Sequence, residues 1–477
     1  MSLIDYVIII VFMGGVFIAG TLLGRGVTNI KGYFSANNDL PWWAVMLSIV
    51  AAETSVLTFL SIPGLAYIGN FSFLQVCMGY IVGRVIISFV LLPMYSGGKF
   101  ITVYQAIAEK SGVPMQRVMS ITFMFTRLLA DGVRLFAVAI PLSMITGLNF
   151  MQSIWILGII TIFYTWFGGI RAVVWMDVAQ WVIYISAGII ALWVGSKILP
   201  DISNSLSIVL EQGKAQIFDW KFSLKGYNIF SGVIGGAMLS MASHGTDQLI
   251  VQRVLSCKNM KDSRKALIGS GVIVFFQFAL FMIIGLMMYM VWNGSSLEML
   301  GLHKPDALFT KFIIENLPPV VKGITVAGIF AAAMSTLSGS LSSLSSSTTV
   351  DILKPIFKEK IDDKKLLHYG RIATLSWGIL MVGGASLFRN MNNPLVEIGL
   401  SIASFTYGGM LGVFILVRFF KKVKTWQYMI SFFGAIITMI FIIKFTEIHW
   451  TWYVLIGNLA TIIIEQITVL IKKIYKH

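Results

Sequence analysis

The stretch SIVAAETSVLTFLSIPG, residues 48–64, decides how the rest of the chain is read. It lies in an apolar run, yet it carries a carboxylate, Glu53, and the hydroxyls of Thr54, Ser55, Thr58 and Ser61 before closing on Pro63 and Gly64. A carboxylate inside a bilayer is costly and faces a cavity or pathway rather than lipid. Set between two apolar arms, the polar patch has the pattern of a helix that opens partway across the membrane. Freed carbonyls there would hold a cation, and the N-terminus of the second half-helix would meet a solute. The plainer reading is a helix whose hydroxyls bond back to their own backbone, with Glu53 paired to a neighbouring Arg. On this stretch alone the two readings stand level.

The surrounding composition is that of an all-α integral membrane protein. Of 477 residues, 57% are hydrophobic and only 12% charged, well outside the soluble range. About thirteen apolar runs are long enough to cross a hydrocarbon core of ~30 Å. They are 3–23, 42–66, 71–96, 118–145, 150–169, 174–199, 229–252, 266–292, 322–350, 370–390, 394–419, 426–446 and 451–471. The longest gaps, near 200–226 and 293–320, are too short for a soluble domain. The first run has no basic lead-in and no small-residue cleavage site, so it reads as a retained helix and not a signal peptide.

A net charge of +15 invites a nucleic-acid reading, but the placement of the charge opposes it. Basic residues concentrate in alternate loops: Arg25, Lys31, Lys99, Lys110, Arg117, Arg171 and the clusters 253–265, 354–371, 418–424 and 472–476. The other loops hold Lys214, Lys304 and Arg389 among Asp201, Glu211, Asp219 and Glu298. By the positive-inside rule the N-terminus is outside and the C-terminus inside. The charge sets topology, and nucleic acid is not an expected partner. Cys77 and Cys257 fall far apart, the His residues show no ligand spacing, and there is no phosphate-binding loop to suggest coupling to ATP.

Two further runs are interrupted. One contains SGVIGGAMLSMASHGTDQLIVQR, residues 231–253, and the other AAAMSTLSGSLSSLSSSTTVD, residues 331–351. Isolated glycines and serines in such helices serve close packing and interhelical bonds. Clusters this dense point instead to polar pathways. Interrupted segments opening two halves mark an inverted-repeat transporter. The expected organisation is an N-terminal helix and loop (1–41), a five-span unit (42–199), a loop (200–228), a second, inverted five-span unit (229–419) and two extra helices (420–477).

In TRLLADGVRLFAVAIPLSMITG, residues 126–147, Arg127, Asp131 and Arg134 are spaced to share one helix face. Arg127 and Asp131 read as a self-neutralising structural pair. Arg134 is then an excess positive charge and the candidate ligand for a carboxylate. Asp177 lies near a helix end, where an acid commonly complements the helix dipole.

TDQLIVQRVLSCK (246–258), FAAAMSTLSGSLSSLSSSTTVDILKP (330–355) and FYTWFGGIRAVVWMDVAQ (163–180) together resemble the sodium:solute symporter family, which includes the sodium–glucose cotransporters and the bacterial proline permease. The resemblance spans essentially the whole chain. It implies a five-plus-five inverted-repeat fold like that of the bacterial leucine transporter, in a bacterial inner membrane. Carried over residue by residue, it implies a sodium site from the carbonyls of Ala51, Thr54 and Ala332 and the hydroxyls of Ser335 and Thr336. Such oxygen ligands suit a hard cation. It implies a second sodium on Asp177, Ser335 and Ser338, but the fourth, hydroxyl-bearing position is Gly339 here, with Ser340 and Ser342 near enough to compensate. Solute positions map to Glu53, Ser55 and Thr58, then Gln75, Ser240, Ser243 and His244. The sugar-type lysine position is Val274, which argues against a typical hexose site. Glu53 facing Arg134 would suit a solute with amine and carboxylate, or a sugar acid; the two would otherwise pair with each other.

The expected activity is therefore non-enzymatic: sodium-driven uptake of a small polar solute by alternating access, with one chain sufficient. Alternatives are proton coupling on the same fold, with Glu53 or Asp177 as carrier, a sodium-conducting channel, and a membrane sensor.

Overall fold

The computed structural model describes residues 1–24, 26–96, 98–357, 361–385, 395–420 and 423–474. Among them every regular element is helical, and the one β contact is an isolated bridge between Leu40 and Cys257. Arg25, Arg389, parts of the 354–371, 418–424 and 472–476 clusters, and the junction of the 370–390 and 394–419 runs lie outside the described residues.

Length and apolar composition alone pick out seven helices able to cross a membrane, or eight when the bent pair Trp42–Glu53 and Val56–Ile68 is one span. That is fewer than the sequence suggests, for a physical reason. The long helix Val113–Thr146 is studded with Arg127, Asp131 and Arg134, and the segment after residue 229 is divided into short pieces. Charge and interruption disguise these helices, whose charged faces turn inward while Ile121 and Phe125 on Val113–Thr146 stay exposed, and two of the runs meet at Gly169 and count as one.

The runs 150–169 and 174–199 are two helices within Phe150–Ile198 that meet at a kink at Gly169, where φ is 55°. A Cβ there would lie 2.4 Å from the Tyr33 carbonyl, so backbone conformation and close packing both require glycine. At the centre lies the serine-rich helix Val321–Ser346, in which every residue from 325 to 346 is buried. It packs chiefly on Phe150–Ile198, which in turn backs onto Leu3–Leu23. The terminal helices Thr425–Phe445 and Tyr453–Ile474 pack on Leu395–Phe419 and on each other.

The glycines of the second interrupted run serve packing. At Gly236 a Cβ would come 2.4 Å from the Val76 carbonyl, and at Gly83 the same distance from the Ala237 carbonyl. Helix Leu74–Val90 and the 231–237 segment thus meet backbone to backbone, as small residues allow between membrane helices.

Candidate functional site

The site is organised by the break the sequence suggests. Helix Trp42–Glu53 stops, Thr54 and Ser55 leave helical geometry, and Val56–Ile68 restarts at an angle of 61°. Ser55 begins the second half-helix as its N-cap, accepting from the Leu57 N–H at 3.2 Å. The Ser55 N–H donates to the Glu53 carbonyl at 3.2 Å, and the Thr58 N–H to the Ser55 carbonyl at 2.9 Å. In a continuous helix those donors would bind the carbonyls of Ala51 and Thr54. The break therefore releases two acceptors at neighbouring positions.

A second break faces the first. Thr246 and Asp247 separate Gly236–Gly245 from Gln248–Leu255, and Asp247 caps the second piece by accepting from the Leu249 N–H at 2.8 Å.

Between the breaks is a cavity of about 750 Å³ whose lining includes Glu53, Ser55, Thr58, Arg127, Arg134, Ser243, His244, Asp247 and Tyr407, with Tyr80 and Phe278 as aromatic walls. Its charges are paired. Glu53 Oε2 accepts from Arg84, which is fully buried and also donates to Ser270 Oγ at 2.7 Å. His244 Nε2 lies 3.4 Å from the same oxygen, and its Nδ1 is 2.8 Å from Ser243 Oγ. Asp247 accepts from both Arg127 and Tyr407. Asp131 is shared by Arg127 at 3.5 Å and Arg134 at 2.8 Å, and takes a hydrogen bond from Ser340. Three guanidiniums thus meet three carboxylates.

Several sequence expectations change here. Glu53 pairs with Arg84 and not with Arg134, as the plainer reading of a neighbouring Arg allows; Arg84 is a lone arginine in an apolar run, which is itself a signal of a buried partner. Arg134 is not an excess charge, because Asp247 supplies the second carboxylate. It is still the guanidinium most open to the cavity, with 16% of its side chain exposed, against 6% for Arg127 and 0% for Arg84. Its Nε has no protein partner. Gln75 and Ser240 do not line the cavity. Gln75 is drawn into the tight contact with Gly232, where a Cβ would be 2.5 Å from its own, and Ser240 is spent on the Tyr80 carbonyl at 3.1 Å.

Behind the first break is a narrow cleft lined by Ala51, Thr54, Ala332 and Ser335 with Gln180 and Tyr184. Thr336 faces the other way, toward Ser55, Asp131 and Arg134, and its hydroxyl donates to the Ala332 carbonyl at 3.1 Å. Gln180 is an addition, legible in the quoted MDVAQ segment. It is buried, and its amide atoms make no hydrogen bond of normal geometry although the Tyr164 hydroxyl is within reach, an arrangement that leaves acceptor capacity for a ligand or water. Two released carbonyls, the Ser335 hydroxyl and the Gln180 amide oxygen form a donor set fit for a sodium ion.

Asp177 lies behind Ser335, with both of its carboxylate oxygens engaged. Ser335 Oγ donates to Oδ1 at 2.7 Å, while Ser48 Oγ at 2.5 Å and Arg253 Nη2 at 2.9 Å reach Oδ2. Ser338 turns instead to the Ser335 carbonyl at 3.1 Å.

An all-helical membrane protein with two facing broken helices, one beside an oxygen-lined cleft and both at a polar cavity, has the architecture of an ion-coupled carrier. The chain belongs to the sodium:solute symporter family, whose pattern matches residues 33–445. It is a sodium-coupled solute symporter, with sodium and a small molecule as its cargo. It is 24% identical over 98% of its length to the sodium/sialic acid symporter NanT of Aliivibrio fischeri, covering 92% of that protein. To the human sodium/iodide cotransporter it is 25% identical over 84% of its length, covering 63% of the relative. Its fold matches a solved substrate-bound, outward-open state of a Na+-coupled sialic acid symporter with a TM-score of 0.90, at 22% identity and 98% coverage of both chains.

Proposed function

We propose that this symporter takes up a small organic anion, a sugar acid of the sialic acid type, and that the break at residues 53–56 joins its two cargoes. One observation carries the proposal: a single break lines both compartments. Ala51 and Thr54 border the cleft, while Glu53, Ser55 and Thr58 border the cavity. Sodium bound to Ala51, Thr54, Ala332 and Ser335, with Gln180 Oε1 as a further oxygen, fixes the N-terminus of the second half-helix. Solute then meets Ser55, Thr58, Ser243 and His244, with its carboxylate on Arg134. Thr336, turned away from the cleft here, would join the ion only after a rotation of its side chain.

An anion is favoured over an amino acid because Arg134, though shared with Asp131, is the most exposed of the cavity's guanidiniums, whereas Glu53 is held on one oxygen by both Arg84 and His244. Two of its relatives, the sialic acid symporter of Aliivibrio fischeri and the human iodide cotransporter, are named for anions. The rest of the reading is thirteen spans in a five-plus-five inverted repeat flanked by extra helices, an N-terminus outside, a C-terminus inside, a bacterial inner membrane and a monomeric carrier. The repeat is supported by the two breaks, each near the start of one half.

The test is uptake of N-acetylneuraminate into proteoliposomes under an inward sodium gradient, and again with potassium replacing sodium. Uptake with sodium alone, reduced at least tenfold by Arg134→Gln, is expected. Stabilisation of the purified protein by zwitterionic amino acids and not by sugar acids would overturn the assignment of the solute.

A further inference from the structure

The second sodium that the family resemblance implies does not fit the residues that surround Asp177. The fourth ligand position is Gly339, and its place is not empty: a Cβ built there would lie 2.4 Å from Arg253 Nη2, 2.9 Å from Nη1 and 3.1 Å from Cζ. The glycine leaves room for the guanidinium, and any side chain at 339 would have to displace it. Arg253 is fully buried and held from several directions. Its Nε donates to Ser48 Oγ at 2.8 Å, its Nη1 to the Leu249 carbonyl at 2.7 Å and its Nη2 to Asp177 Oδ2 at 2.9 Å. Ser340 and Ser342, the residues able to compensate for Gly339, are engaged elsewhere. Ser340 donates to Asp131, and Ser342 accepts from Gln252 Nε2 at 3.1 Å.

We infer that the Arg253 guanidinium takes the place of a second sodium, so that the chain binds a single sodium per cycle. The inference rests on the proposed sodium site at the first break. A cation beside Asp177 would have to share one buried carboxylate with a permanent positive charge and would lack the hydroxyl at 339. Desolvated like charges at such range repel strongly.

The ion pair also acts on the first site. With its proton given to Asp177, Ser335 Oγ presents only lone pairs to the cleft, which is what a cation needs. Asp177 and Arg253 are therefore positioning residues. They lock the Ser335 oxygen in the acceptor role and tie it to Gln248–Leu255, the second half of the other broken helix.

The experiment is equilibrium binding of radiolabelled sodium to the purified full chain, counted per chain at saturation. A count of one is expected for the wild type. A count of two overturns the inference and leaves the sodium site itself standing, whereas a count of zero overturns both. In Arg253→Gln the carboxylate loses its internal cation, and the count should rise to two. That added ion should be lost again in Arg253→Gln/Asp177→Asn. A folded, monodisperse Arg253→Gln that still binds one ion overturns the exclusion by the guanidinium. Should the variant not fold, the wild-type count decides alone.

Discussion

Replacing Arg84 with Met tests the reading of Glu53 as a carboxylate balanced inside the protein. The Arg84 side chain is wholly buried and that of Glu53 is 17% exposed. Removing one partner of a buried pair costs about 3–5 kcal/mol, because the other charge is left uncompensated. Glu53 borders a cavity that water can enter and keeps His244 Nε2 at 3.4 Å, which argues for the lower end, about 3 kcal/mol. The lost bond to Ser270 adds about 1 kcal/mol, so Arg84→Met should cost about 4 kcal/mol. Glu53→Gln leaves a fully buried guanidinium and should cost about as much. The double variant removes both charges and should cost only about 1–2 kcal/mol, a coupling of about 6 kcal/mol across the cycle. Unfolding free energies of the four proteins in mixed detergent micelles give that coupling directly. A coupling below about 1 kcal/mol, ordinary for an exposed pair, would refute the argument and return Glu53 to the solute. Arg84→Met should also lose anion uptake, since its bare carboxylate would then repel the cargo.

Two other expectations concern the ion and the loop that carries His449. Ser335→Ala removes a cleft hydroxyl and a donor to Asp177 together, and should raise the sodium concentration needed for half-maximal uptake at least tenfold; unchanged sodium dependence would contradict the site. His449, in the turn before Trp450–Trp452, packs its ring against Tyr227 and Trp450, and burial lowers its pKa from 6.5 to about 4. The fold thus favours neutral His449, while the unfolded chain takes up a proton below about pH 6.5. Stability should fall as pH drops from about 6.5 to about 4, by about 3 kcal/mol at most. Melting temperatures between pH 7 and pH 4 should fall less steeply in His449→Gln, and parallel slopes would sink the assignment.

What the sequence made legible were the features encoded by adjacent residues. The break at 53–56 follows from hydroxyls and a carboxylate crowded into an apolar run. The shared face of Arg127, Asp131 and Arg134 follows from helical spacing. Pairing between distant helices carries no such local mark. Arg84 reaches Glu53 from a separate helix 31 residues on in sequence, a pairing no local spacing encodes. The close approach of Leu74–Val90 to residues 231–237 around glycines pulled Gln75 out of the cavity. Of the seven serines of Val321–Ser346, three, Ser338, Ser343 and Ser346, donate to carbonyls three residues back in their own helix. Ser335 and Ser340 cross to Asp177 and Asp131 instead, and only the neighbouring helices determine which serine does which.

The proposed single sodium and organic anion together carry a bioenergetic consequence. A carrier that moves one cation with one monovalent anion transfers no net charge, so its translocation step is blind to membrane voltage. It forgoes the roughly 2.3 kcal/mol that each elementary charge gains from about 100 mV. Its concentrating power is then capped by the sodium ratio across the membrane, and uptake should persist undiminished in a cell whose potential has collapsed while its salt gradient holds.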